Sequence, residues 1–152
     1  MTLALLEAAT DAVKNYLAAN MTAKVAALNT RYSDTLADIK TYYVGELPNR
    51  IPESPSVVVR GSGFTPTMQR ATNMEMTYAI DVVVFFGSDD TERRFRVLCR
   101  YVVGLVELLR QAQTAAYHIK LAGPVRMTES MATPDFLQGF IISLAVESAE
   151  TY

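Results

Sequence analysis

The segment Thr77–Gln111, TYAIDVVVFFGSDDTERRFRVLCRYVVGLVELLRQ, restricts the possible folds more than any other part of the chain. It sets a strongly apolar strand, an acidic turn and a long amphipathic helix in immediate succession. Side chains along a strand point alternately to its two faces. Tyr78, Ile80, Val82, Val84 and Phe86 therefore share one wholly apolar face, and Thr77, Ala79, Asp81, Val83 and Phe85 share the other. The second face turns apolar towards its end, which predicts a central strand covered on both sides there. Ser88, Asp89 and Asp90 stop the strand. Asp89 with Glu92 three residues on has capping-box spacing, and both carboxylates suit the positive end of a helix.

The helix is expected over about residues 89–113. Phe95, Leu98, Val102, Leu105 and Leu109 recur at the three-and-four spacing that builds its core face. Arg93, Arg96, Arg100, Glu107 and Gln111 make a separate polar stripe that contains Gly104. Val97, Tyr101, Val103, Val106 and Leu108 lie between the stripes. An apolar face wider than one sheet needs predicts a second packing partner, with Val103 and Leu108 on the flanks.

Before this segment, Thr2 to about Leu28 reads as helix, with Leu6, Val13, Leu17, Met21, Val25 and Leu28 on one face and with Asn20 as a point where it can split. Asn29–Leu36 is polar and aperiodic, and reads as a connection. Ile39–Val44 and Ser56–Arg60 are short strands separated by a proline-punctuated stretch. Gly61–Asn73, GSGFTPTMQRATN, has turn-like composition. Its apolar Phe64 and Met68 are expected to fold back on the core or lie on a long hairpin arm, or else to anchor a partner.

After the segment, Tyr117–Leu121, Val125–Met131 and Phe136–Glu147 alternate as strands, with a turn at Thr133-Pro134-Asp135 between the last two. On the last strand Phe136, Gln138, Phe140, Ile142, Leu144 and Val146 share a side. Strands adjacent in sequence favour antiparallel pairing, so the expectation is an α+β fold of order α-β-β-β-α-β-β. It is a mainly antiparallel sheet with two helices packed on one face. One domain spans 1–152, with 1–36 as helical segment and connection and 37–152 as the sheet with the long helix.

Little in the chain suits chemistry. Its single cysteine, Cys99, rules out an internal disulfide framework and a cysteine-built zinc site, and it sits mid-helix among apolar residues. The single histidine, His118, has no activating pattern around it. Asp89, Asp90 and Glu92 form the densest acidic cluster, which helix capping explains. Asp81, set in an apolar strand, is expected in a salt bridge or subunit contact. Gly61-Ser62-Gly63 lacks the later glycine and lysine of a phosphate loop. No enzyme, cofactor or metal site is expected. A formal net charge of −2 gives no general attraction to nucleic acid, so the Arg93, Arg96 and Arg100 stripe reads first as a solvated or salt-bridged face. No run has the length to span a bilayer and no basic leader precedes the first apolar residues, which predicts residence on the cytoplasmic side.

The element order, with Leu47-Pro48 through Pro55-Ser56-Val57-Val58-Val59-Arg60-Gly61 leading into the long strand and helix, resembles the tail terminator (tail completion) proteins of tailed bacteriophages. The resemblance covers roughly Ile39 to Glu147. It implies a small subunit that assembles as a ring, typically a hexamer, caps the head-proximal end of the tail tube and stops its polymerisation. It further implies the tube protein and the head–tail connector as partners, DNA passing through the ring, assembly in the host cytoplasm, and residence in the virion tail. It carries no catalytic residue. Candidate contact residues are Phe64, Met68, Asp81, Arg93, Arg96, Arg100, Val103 and Leu108. Alternatives are another connector, neck or tube component, and, from other classes, a small ligand-binding regulatory domain or a nucleic-acid-binding module on the arginine stripe.

Overall fold

The computed structural model describes residues 6–45, 53–69, 73–113, 117–128 and 137–151, and the side chains of 67–69, 73, 74 and 149–151 lie outside that description. Among the described residues the order is α1 (Leu6–Tyr32), β1 (Thr41–Val44), β2 (Ser56–Gln69), β3 (Asn73–Gly87), α2 (Thr91–Gln111), β4 (His118–Leu121), β5 (Arg126–Met127) and β6 (Leu137–Thr151). The fold is α+β. The strands form one sheet in the order β1-β2-β3-β6-β4, and β5 also pairs β6.

β3 is the central strand, flanked antiparallel by β2 and by β6. Its pairing with β6 runs without interruption from Asn73↔Thr151 to Gly87↔Leu137. Both helices lie on the face bearing Tyr78, Ile80, Val82 and Val84, where they bury Val13, Leu17, Val25, Leu98, Tyr101 and Leu105 against the sheet. On the opposite face Val58, Val83, Phe85 and Leu137 are buried together, with Tyr43 and Ile141 packed beside them. The end of β3 is thus covered on both sides, as its double-faced apolarity predicts.

Four local expectations are corrected. First, α1 runs unbroken past Asn20, whose Nδ2 donates to the Tyr16 carbonyl 2.7 Å away within the same helix, while Met21 stays in the core. Second, α1 also continues to Tyr32, and Ser33 at φ 51° turns the chain out of it. Asn29 then closes the turn, taking the Leu36 N–H on Oδ1 at 2.6 Å and donating Nδ2 to the Leu36 carbonyl at 3.0 Å.

Third, β1 pairs β2 in parallel, Thr41 opposite Ser56 and Val44 opposite Val59. The sheet is therefore mixed, although every other pairing is antiparallel. Fourth, Gly61–Gln69 is strand. β2 absorbs its glycines and proline through register shifts between Gly61 and Gly63 and between Pro66 and Met68, the usual way a strand accommodates an extra residue. The expected start of α1 at Thr2, the turn at 133–135 and Phe136 lie outside the described residues.

Candidate assembly surfaces

The helix cap forms at Asp90, not at Asp89. Asp90 Oδ1 accepts the Arg93 N–H at 3.0 Å and satisfies one of the free donors of the first turn. One turn into the helix, Arg94 is buried. Its guanidinium donates to the Ser88 carbonyl at 2.8 Å and its Nε to Gln138 Oε1 at 3.2 Å, so it ties the β3–α2 turn to β6.

This rotates the helix from the orientation its spacing suggests. The arc Val97, Tyr101, Gly104 and Leu108 faces inward with Leu98 and Leu105, and Phe95, expected in the core, is 51% exposed. Gly104 is the reason α2 can turn that way. A Cβ added there would stand 2.7 Å from Leu28 Cδ1 and 3.3 Å from Lys24 Cγ, so the missing side chain lets α1 approach. Leu108, expected on a flank facing a neighbour, is instead part of the chain's own core. Val103 is half-buried and packs against that core.

The arginine stripe is occupied within the chain. Asp34, just beyond α1 and only 7% exposed at its side chain, accepts from Arg93 at 2.7 and 3.1 Å and from Arg100. The Arg100 guanidinium also lies 5.1 Å from the centre of the Tyr32 ring. Hydrogen bonds from Arg93, reinforced by the Thr35 N–H and Arg100, hold the Asp34 carboxyl well below the usual carboxylate range. In return, the Arg93 guanidinium is raised above its own usual value. Glu107 repeats the device one helix face away. It takes the Arg31 fork at 2.7 and 3.2 Å and also pairs Lys24, and these bonds lower its carboxyl to about 2. Arg96 pairs Glu92 at 2.9 Å on the exposed surface, an i,i+4 contact of a kind worth about 0.3–0.5 kcal/mol. Sequence reasoning missed Asp34 because nothing local marks it; its partners are 59 and 66 residues away.

Asp81 lies directly opposite Arg60 on β2 and accepts from it at 3.0 Å, as expected of a carboxylate in an apolar strand. Phe64, also on β2, is 57% exposed and touches Tyr78 across the strand pair, with ring centres 6.2 Å apart. Met68 sits in β2 opposite Glu75, and its side chain lies outside the described residues. β1 covers only Ser56–Val59, so among the described residues the outer edge of the Arg60–Gln69 arm has no ladder partner. Two register shifts and Pro66 blunt that edge against strand addition.

Other sequence candidates stand apart. Half-buried Cys99 has its thiol pushed up by burial, which disfavours the reactive thiolate. Exposed His118 shares a hydrogen bond with Gln113. Among the described residues no three His, Cys, Asp or Glu side chains gather for a metal ion, and no helix is long and apolar enough to cross a membrane.

The sequence matches no model of a known protein family and no curated protein. What the structure does supply is a pair of exposed phenylalanines, Phe64 on the β2 arm and Phe95 on the outer flank of α2.

Proposed function

We propose that this protein is a structural subunit that assembles into a ring, and that the ring is the tail terminator of a phage or phage-like tail. In that role it caps the head-proximal end of the tube, limits its length and joins it to the head. The observation that carries this reading is the combination of a two-layer α+β fold with large apolar side chains left outside its core, Phe64 on the arm and Phe95 on α2. Both charged clusters on the helices are closed within the chain, Asp34 with two arginines and Glu107 with Arg31 and Lys24. Apolar contact, rather than charge capture of a ligand, is therefore what these surfaces offer.

Light scattering and negative-stain microscopy of the purified protein test the ring, and a tube-length assay with the partner tube protein tests the terminator role. Closed particles of one size that bind tube ends and limit their growth are expected. A strict monomer at high concentration that neither binds tube protein nor limits tube length would refute the proposal.

A further inference from the structure

We draw no further inference here: the strongest candidate, the partly exposed apolar stripe on the outer flank of α2 that runs from Phe95 through Cys99 and Val102 to Val106, is bordered by charges of both signs at Glu92, Arg96 and Arg110, and nothing in the structure shows what covers it.

Discussion

Replacing Gly104 with alanine sets two known effects against each other. Alanine is favoured over glycine in a helix interior by roughly 1 kcal/mol, so an exposed helical glycine is a site where the change stabilises. Gly104 is buried, and its new methyl would lie 2.7 Å from Leu28 Cδ1 and 3.3 Å from Lys24 Cγ. Leu28 is itself fully buried, so its methyl has no free space to retreat into. Inserting a methyl into a filled core costs about 1–3 kcal/mol. The net expectation is a loss of roughly 0–2 kcal/mol, read as a lower urea midpoint at unchanged slope and fixed protein concentration. Leu28→Ala alone should cost about 2–5 kcal/mol by leaving a cavity. In the double variant the methyl introduced by Gly104→Ala points into that cavity, so the combined loss is smaller than the sum, with a coupling of roughly 0.5–3 kcal/mol. A stabilised Gly104→Ala, or a strictly additive double variant, would show that α1 and α2 do not meet there.

Leu105→Ala and Leu98→Ala should each cost about 2–5 kcal/mol in chemical denaturation, and Leu108→Ala a similar amount, since all three are buried in one core; a Leu108 change that disturbed only assembly would refute its inward placement. Asp34→Asn should cost about 1.5–3 kcal/mol, the worth of hydrogen bonds to charged groups, measured by thermal or urea unfolding. The pH response follows from the sign of the Asp34 shift. Its carboxyl titrates lower in the folded chain than in the unfolded one, so its stabilisation is complete above about pH 5 and is lost progressively in acid, towards the depressed folded value. Stability should therefore fall from about pH 5 downwards, and Asp34→Asn should flatten that fall; parallel pH profiles would refute the pairing.

Alternation in β3 and the apolar spacing of α1 led directly to the sheet and its first covering helix, because each pattern is enforced by burial along one continuous element. The rotation of α2 was hidden. Phe95 fits an apolar face by spacing, and the bonds of Arg94 to Gln138, 44 residues away, and to the Ser88 carbonyl accompany the turn that leaves it outside. Gly104 was the available signal, since a glycine inside a helix carries a propensity penalty that close approach of another helix repays. The β2 arm, one of two placements the composition of Gly61–Asn73 leaves open, is obscured for the opposite reason. Its glycines and proline have loop composition, yet they sit in a strand whose pairing with β3 tolerates bulges. The Asp34 cluster was beyond local reading altogether, since two of its three members lie 59 and 66 residues from it.

The place of β6 has a consequence for the order in which the molecule is made. It follows every other described element in the chain, yet it lies inside the sheet, between β3 and β4. During synthesis, β3 must emerge, with Val82 and Val84 along it, and wait with one edge open until residues 137–151 have left the ribosome. Such a strand is a template for pairing with another nascent chain. The protein therefore gains its central ladder only after translation has passed that last strand, and truncation before it leaves an aggregation-prone sheet, not a smaller version of the same fold.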